Sequence, residues 1–543
     1  MSTFSTHRRT EYIDVLKNTT YDLLVIGGGI TGAGIALDAA SRGLRTALVE
    51  KNDFASGTSS RSTKLIHGGL RYLKQLEFGL VKEVGSERAV VHNLAPHLVI
   101  PEKMLLPLSE KRGLGYWLTS IGLKIYDWLA GVRPQDQRRM LTRPQTLRAE
   151  PLLRKDDIKG GAIYAEYRTD DARLTLEIIK TATRHSADIM NYVRVDDFIY
   201  ASDVVSGVRV TDQVSGASFS IRARVVVSAA GPWVDELREM NRSRFGKRLH
   251  LTKGVHIVVP REKLSVTQAI YFDVDDGRMI FAIPRGRATY IGTTDTNYLE
   301  SKETVRATLE DATYLVQAVN ATFPSVQLSV ADIESSWAGL RPLIHEEGKS
   351  ASELSRKDEI FESPTGLISI AGGKLTGYRK MAERVVNLVI DRHFKDRQLR
   401  SCFTQKIRVT GAFASLAEVG PFTDLVRRRL HDQSEAMARY LVEIYGRQVD
   451  EILALAEKIK DEPALALLRA ELQFGIEHEL VVSLSDFFVR RTGMLYFDIR
   501  RVHRWRAVAA DVMQTELAWD AERKARELKL LDDLVLMATT FYP

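Results

Sequence analysis

The stretch from residue 21 to residue 50 constrains the fold more than any other part of this 543-residue sequence. Its apolar run at 21–26 is typical of a buried parallel strand. A glycine-rich turn follows, and the small residues at 30–42 then predict a tightly packed helix. A second apolar run at 46–49 predicts the next parallel strand. Together these segments predict a strand–helix–strand unit of an α/β fold.

The turn in this unit has the glycine pattern of a dinucleotide site. Gly27, Gly29 and Gly32 occupy the G-x-G-x-x-G positions. In that order they serve the tight turn, the close approach of a pyrophosphate and the packing of helix against strand. The N-terminus of the helix attracts phosphates through its free N–H groups, and Glu50 is placed to bind a ribose hydroxyl. A glycine turn can be purely structural, but the flanking strands and the acidic strand end favour a bound dinucleotide.

The composition limits the classes of protein to which this chain can belong. Hydrophobic residues at 44% and charged residues at 27% are typical of a soluble globular protein, and the length predicts two or three domains. A net charge of +7 suits an anionic partner, although an ordinary basic surface is the commoner cause. The single cysteine, Cys402, excludes an internal disulfide and fits a reducing cytoplasm. No apolar run is long enough for a secretory signal or a membrane span, so we expect a protein that does not cross a bilayer.

Two stretches resemble ligand motifs only superficially. The turn DVDDG is similar to a calcium loop, but Arg278 and Pro284 stand where a glycine and a bidentate glutamate are required. The sequence GKS at 348–350 lacks the upstream glycine of a P-loop. We therefore predict no metal site.

Three further segments are rich in small and hydroxyl residues, which let a backbone approach a long cofactor and offer it hydrogen-bond donors. The first follows Glu50, the second (AAGPW) ends an apolar strand at 224–228, and the third (AGGKLTG) precedes a helix. The candidate cofactor-binding residues in these segments are Ser59, Ser60, Ser62, His67, Gly68, Gly69, Ala229, Gly231, Trp233, Gly373, Lys374, Leu375 and Thr376.

Motifs along nearly the whole chain resemble those of the FAD-dependent glycerol-3-phosphate dehydrogenases, which are flavoproteins of the D-amino-acid oxidase-related fold. The motifs are GGGITGAGIALDAASRGL, EKNDFASGTSSRSTKLIHGGLRYL, RVVVSAAGPWVDEL, LTKGVHIVVP, YIGTTDT, WAGLRPL, SIAGGKLTGYRKMAE and LSDFFVRRTGM. The resemblance implies a bound FAD, glycerol 3-phosphate as substrate, and electron transfer to quinone by a cytoplasmic protein lying on the membrane surface. It also suggests a homodimer.

The resemblance singles out particular residues for the substrate. For the phosphate it points to Arg71 and Arg341, because planar arginine forks suit phosphate oxygens. Lys374 would assist them, and Tyr72 would help to close the pocket. Lys374 and the helix that starts near it would also face the pyrimidine edge of the flavin and stabilise its negative charge.

The base that removes the hydroxyl proton is chosen between two histidines. His256 lies in the predicted strand KGVHIVV and could face the substrate, although a histidine in a strand is more often structural. His345, just beyond the Arg-Pro turn of WAGLRPL, is its competitor. We predict His256, Arg341 and Lys374 as the catalytic set.

Several other interpretations are weighed against this one. A glycerol-3-phosphate oxidase would share the first half-reaction and pass the electrons to oxygen, and a flavin amine oxidase would share the fold. A nucleic-acid-binding flavoprotein would suit the basic charge, but no helix-turn-helix, zinc-knuckle or RNP-like motif is present, so we expect no nucleic acid as partner. The aromatic segment at 113–133 has basic flanks. That composition is typical of a bilayer interface and equally of an amphipathic helix over the protein's own core.

The predicted fold class is α/β with α+β elements. A discontinuous, Rossmann-like FAD-binding domain is predicted at 20–95, 165–250 and 346–400. An inserted substrate domain, built on an antiparallel sheet, is predicted at 96–164 and 251–345, and a C-terminal helical domain at 405–543. Runs at 191–200, 204–210 and 218–221 predict an antiparallel meander ahead of the parallel strand at 224–228.

Overall fold

The computed structural model describes residues 4–67, 78–109, 123–124, 137–345, 358–430 and 435–542. The β-strands of these residues form two sheets. They are β1 (Thr20–Ile26), β2 (Thr46–Val49), β3 (Leu65–Ile66), β4 (Ile100–Ser109), β5 (Arg139–Thr142), β6 (Ile158–Arg168), β7 (Asp188–Met190), β8 (Val193–Ala201), β9 (Val204–Asp212), β10 (Ser218–Ser228), β11 (Leu249–Pro260), β12 (Ala269–Asp273), β13 (Met279–Arg285), β14 (Ala288–Gly292), β15 (Thr296–Asn297), β16 (Ser335–Ile344), β17 (Glu359–Glu362) and β18 (Ile368–Ala371).

The α-helices pack against both sheets and fill the C-terminal part of the chain. They are α1 (Arg9–Asn18), α2 (Ile30–Arg42), α3 (Phe78–Leu94), α4 (Arg143–Ala149), α5 (Asp171–Arg184), α6 (Val234–Met240), α7 (Leu309–Thr322), α8 (Tyr378–His393), α9 (Val419–Arg429), α10 (Glu435–Tyr445), α11 (Val449–Ala456), α12 (Pro463–His478), α13 (Met494–Phe497), α14 (Ile499–Glu516) and α15 (Ala521–Thr539).

The first sheet is the predicted Rossmann-like core. Its strands run in the order β17-β18-β10-β1-β2-β7, and the four neighbouring pairs from β18 to β7 are parallel. Because α2, α5 and α8 pack around it, β1 and β2 are almost wholly buried and read as continuous apolar runs. The bounds predicted for β1, α2 and β2 are confirmed to within one residue. The glycine turn therefore lies at the carboxyl end of a central parallel strand, where open α/β sheets bind their ligands.

The strand β10 corrects one detail of the prediction. The sequence predicts two strands, 218–221 and 224–228, whereas the structure has one continuous strand. Its first half pairs antiparallel with β9 and its second half pairs parallel with β1. The pattern SFSIRARVVVS changes from alternating to continuously apolar without a turn residue. The change therefore marks where the second face of the sheet becomes covered.

The second sheet is the predicted antiparallel one and carries the inserted region. Its strands run in the order β15-β11-β14-β13-β12-β4-β6-β3, with β16 beside β11 and β5 beside β6. Every pair is antiparallel except β12 with β4. The predicted boundary at residue 164 falls inside β6, which continues to Arg168 because it pairs with β4 along its length and with β3 at its end.

The C-terminal region is helical, as predicted, and is joined to the first sheet by buried ion pairs. Arg490 and Arg491 both bind Asp53, which lies in the loop after β2, with Arg491 Nη1 at 2.6 Å from Asp53 Oδ2. Burial alone would raise the pKa of Asp53, but the two arginines lower it to about 2. A second cluster joins Arg173 of α5 to Glu479 at 2.7 Å. In the part of the chain that the structure describes, no helix is both long and apolar enough to cross a membrane.

Candidate active site

A cleft of about 490 Å³ opens at the carboxyl ends of the parallel strands. Its walls come from the glycine turn, the loop after β2, the start of β8, the segment after β10 and the turn after β18. The predicted cofactor residues that line it are Gly27, Gly29, Glu50, Ser59, Ser62, Ala229, Gly231, Trp233, Gly373, Lys374 and Leu375.

Four other predicted residues lie near the cleft without forming its wall. A side chain at Gly32 would overlap the carbonyl oxygen of Gly27, so this glycine serves the packing of α2 against β1. Ser60 is buried, and its carbonyl accepts a hydrogen bond from Lys64. Thr376 donates to the carbonyl of His67, 3.2 Å away. The remaining predicted residues, Gly68, Gly69, Arg71 and Tyr72, lie outside the described residues.

The glycine end of the cleft fits the phosphates and ribose of a dinucleotide. Gly27 has φ +114°, and a Cβ there would lie 2.6 Å from the carbonyl oxygen of Ala229. The helix α2 begins just beyond, so its N-terminal N–H groups face this space. The Glu50 carboxylate accepts hydrogen bonds from the N–H groups of Gly28 at 2.7 Å and Asn52 at 2.9 Å. These bonds fix Glu50 at the cleft, where burial raises the pKa of its carboxyl group.

The turn after β18 closes the other end of the cleft. Gly372 and Gly373 both have φ +78°, a conformation that side chains other than glycine rarely adopt. A side chain at Gly373 would also overlap Met381. Lys374 is extended, and α8 begins at Tyr378 after one 3₁₀ turn, four residues later than the predicted start near Lys374. The helix starts later because the two left-handed glycines and the extended lysine cannot belong to an α-helix.

His256 and Arg341 lie on neighbouring strands of the second sheet. In the pairing of β11 with β16, Thr252 is opposite Arg341 and His256 is opposite Trp337. Directly opposite residues share a face of the sheet, and the rings of His256 and Trp337 stack with centroids 4.9 Å apart. Neither His256 nor Arg341 lines the cleft itself.

Two glycines make room for these side chains. A side chain at Gly254 would overlap the guanidinium of Arg341, and one at Gly292 would overlap the ring of His256. The guanidinium is held above Gly254 by Thr293 Oγ1 at 2.8 Å and Asp295 Oδ1 at 3.1 Å, with 21% of the side chain exposed. The glycine positions are therefore a sequence signal for this face of the sheet.

The environment of His256 keeps its imidazole neutral. The residue is 2% exposed, and its Nε2 lies 3.0 Å from Thr63 Oγ1. Burial, followed by the charges of Arg341 and Lys64, holds the pKa of His256 well below its usual 6.5. A neutral imidazole can accept a proton, which a general base requires.

His345, the competing histidine, lies at the other end of the same pair of strands. Its ring stacks on His250 at 6.2 Å, and its backbone N–H donates to the carbonyl of Arg248. The structure thus brings His256, and not His345, to the loop that walls the cleft.

Residues 60–64 connect the cleft with His256, and the contacts that support them were not predicted from the sequence. Asp171 accepts hydrogen bonds from the backbone N–H and hydroxyl of Ser62 and pairs with the buried Lys64 at 2.5 Å. Trp337 Nε1 donates to the Ser62 carbonyl at 3.1 Å. Asp170 caps α5 through the N–H of Arg173, so the Asp-Asp pair signals a helix start. No local signal in the sequence reveals that Asp171 contacts Lys64, which lies 107 residues earlier.

The fold and the cleft define a dinucleotide-binding protein of the α/β class, and comparison with known proteins makes the class specific. The family model described as FAD dependent oxidoreductase matches residues 22–379. The model for the C-terminal domain of alpha-glycerophosphate oxidase matches residues 402–524.

Relatives and solved structures narrow the class further. The aerobic glycerol-3-phosphate dehydrogenase of Bacillus subtilis is 47% identical over 98% of both chains. The glycerol-3-phosphate dehydrogenase of Bacillus halodurans, solved with FAD, is 46% identical over 99% of both chains with a TM-score of 0.85. The L-alpha-glycerophosphate oxidase of Mycoplasma pneumoniae, also with FAD bound, shares the fold at 19% identity and a TM-score of 0.56, over 70% of this chain and 96% of its own.

The chain belongs to the family of aerobic glycerol-3-phosphate dehydrogenases. The resemblance seen in the sequence motifs is thereby confirmed, and so are the fold class and FAD as the cofactor. The left-handed turn at Gly27, the helix N-terminus and the fixed Glu50 are the features of this chain that suit FAD.

Proposed function

We propose that this protein oxidises sn-glycerol 3-phosphate to dihydroxyacetone phosphate by hydride transfer to FAD and passes the electrons to a membrane quinone. The observation that carries the proposal is one constellation. Neutral His256 and the fixed guanidinium of Arg341 share a sheet face, and residues 60–64 connect that face to the FAD cleft. An alcohol carrying a phosphate needs both a base and a cation in such a place.

The cofactor and the side chains around the site each have a separate role in this reaction. Bound FAD supplies the hydride acceptor. Arg341 binds the substrate phosphate with its planar fork, and Arg71 and Tyr72 remain predicted partners in that role. Lys374, in the cleft wall, supplies positive charge beside the flavin edge.

His256 takes the hydroxyl proton. Its Nε2 lies 3.0 Å from Thr63 Oγ1, and its Nδ1 has no hydrogen-bond partner among the described residues, so Nδ1 accepts the proton in the tautomer whose Nε2 donates to Thr63. The contact with Thr63 Oγ1 orients the ring of His256, and the carbonyl of Thr63 accepts a hydrogen bond from the hydroxyl of Tyr290 at 3.2 Å.

Replacing Thr63 separates this positioning role from mere packing. Thr63→Val keeps the shape but removes the hydroxyl that contacts His256, so we expect kcat to fall about tenfold, the worth of one hydrogen bond, with KM unchanged. Thr63→Ser retains the hydroxyl and should restore kcat. Steady-state kinetics with a soluble dye as acceptor measure both variants. Equal losses in the valine and serine variants would show that the hydroxyl does not position the base.

A spectrum of the purified protein under argon tests the reaction itself. The flavin absorption should bleach on addition of sn-glycerol 3-phosphate, because the hydride enters the flavin. Glycine, as a matched amine substrate, should leave the spectrum unchanged. A flavin band that does not bleach with glycerol 3-phosphate would overturn the proposed substrate and reopen amine oxidation.

Reoxidation of the reduced flavin in the same sample identifies the electron acceptor. We expect a soluble quinone to restore the oxidised spectrum faster than air does. The oxidase is kept as the second candidate, because residues 402–524 match the C-terminal domain of alpha-glycerophosphate oxidase. Fast reoxidation by air with release of peroxide would favour it.

The proposed location is the cytoplasmic face of the membrane, with peripheral attachment and a homodimer as the assembly. The net charge of +7 supports contact with anionic lipid. The aromatic segment predicted for this contact, 113–133, lies outside the described residues except for Leu123 and Lys124.

A further inference from the structure

Four apolar side chains are exposed on two segments of the chain that a hydrogen bond joins near the FAD cleft. They come from the hairpin between β8 and β9 and from the end of α6 with the loop that follows it. The exposed fractions are 43% for Tyr200, 50% for Val204, 36% for Met240 and 71% for Phe245. The Tyr200 hydroxyl donates to Asn241 Oδ1 at 2.9 Å, which joins the two segments. We call these four residues the Phe245 patch. Met240 also belongs to the wall of the cleft.

The loop that carries Phe245 is held in place by a buried arginine. Arg238, 3% exposed, donates to the carbonyls of Phe245 at 3.1 Å and Lys247 at 3.0 Å, and pairs with Asp235 at 2.8 Å. Gly246 turns the chain between them with φ +67°. Phe245 is therefore held at the surface by a loop that is fixed through hydrogen bonds to a buried arginine.

Basic residues flank Phe245 along the sequence. Arg242, Arg244, Lys247 and Arg248 are all exposed within seven residues of sequence. Arg244 pairs with Glu239 and Lys247 with Glu359, so two of the four positive charges are balanced by these partners. The excess of positive charge favours an anionic partner.

We infer that the Phe245 patch docks on the anionic surface of a lipid bilayer. A single aromatic ring standing out between cations matches the headgroup region, where aromatic rings lie at the interface and Lys and Arg bind lipid phosphates. The inference rests on the proposed membrane location and adds the surface that makes the contact. Because Met240 belongs to both the patch and the cleft wall, docking here places the cleft beside the bilayer in which a quinone is dissolved.

The test measures sedimentation of the FAD-loaded protein with vesicles of phosphatidylcholine, with and without phosphatidylglycerol. The variant Arg244→Gln/Phe245→Ser should bind the anionic vesicles about tenfold more weakly than the parent protein. Phe245→Ser alone, which leaves every ion pair intact, should show part of that loss. A matched pair on α15, Arg526→Gln/Leu530→Ser, also removes one exposed cation and one exposed apolar side chain and should bind like the parent.

Activity separates the patch from the membrane proposal as a whole. All variants should reduce a soluble dye at the rate of the parent protein. When the acceptor is a quinone dissolved in vesicles, only the two Phe245 variants should reduce it more slowly than the parent. If the Phe245 variants bind anionic vesicles as strongly as the parent protein does, the Phe245 patch is not the docking surface, and the proposed membrane location is retained. Absence of parent binding would overturn both. A change in the oligomeric state of the Phe245 variants without vesicles would overturn the lipid assignment, because the patch would then join two copies of the chain.

Discussion

Replacing His256 with asparagine is expected to lower kcat by about 10²- to 10⁴-fold, the usual contribution of a general base. Asparagine keeps a polar group near Thr63 Oγ1 but cannot take up the proton. The parent enzyme should keep its kcat as the pH falls through 6.5, because burial, Arg341 and Lys64 hold the pKa of His256 well below that value. Its activity should be lost only as the pH passes through the lowered pKa, where the imidazole becomes charged.

The control for this variant is the other histidine. His345→Asn should leave kcat within about twofold of the parent, since its ring lies against His250 and away from residues 60–64. Bound FAD, read from the absorption spectrum, should be equal in both variants. A parent-like kcat in His256→Asn would remove His256 from the mechanism.

Replacing Arg341 with alanine is expected to raise KM for glycerol 3-phosphate roughly ten- to one-hundred-and-fiftyfold, which corresponds to losing hydrogen bonds to a charged group. The loss falls mainly on KM because the phosphate is held equally before and during hydride transfer. FAD should remain bound, because Arg341 does not line the cleft. Arg341→Lys should recover only part of the loss, since an ammonium lacks the fork.

A matched control lies in the turn between β13 and β14 of the same sheet. Arg287 is also 21% exposed and also pairs with a carboxylate, that of Glu334 at 2.6 Å. Arg287→Ala should therefore change stability as Arg341→Ala does and leave KM near the parent value. Equal KM values in the two alanine variants would assign the phosphate to other residues.

The local elements of the fold could be predicted because their signals lie within a few residues. Local sequence alone predicts the apolar strand β1, the glycine turn and the helix α2 with its small residues. The continuous strand β10 could not be predicted, because its switch from antiparallel to parallel partners depends on strands far away in sequence. For the same reason the boundary at residue 164 was placed inside β6.

The candidate site was only partly predictable. Sequence motifs identified His256 and Arg341, but their shared sheet face follows from the register of β11 with β16. Asp171, at the start of α5, supports residues 60–64 through Ser62 and Lys64. These residues are far apart in the sequence, and no periodic pattern predicts that they pair. Gly254 and Gly292, which make room for Arg341 and His256, are visible in the sequence. Their meaning needed the neighbouring strand.

The ion pairs of Asp53 have a consequence for folding during synthesis on the ribosome. Its partner Arg491 follows 438 residues later. At about 5–20 residues per second, this means that the carboxylate waits on the order of 20 to 90 s for its guanidinium. Until then the loop after β2, which walls the cleft, has an acidic group that its final buried position cannot accept alone. We therefore expect this wall of the flavin site to become fully ordered after Arg490 and Arg491 have emerged from the ribosome.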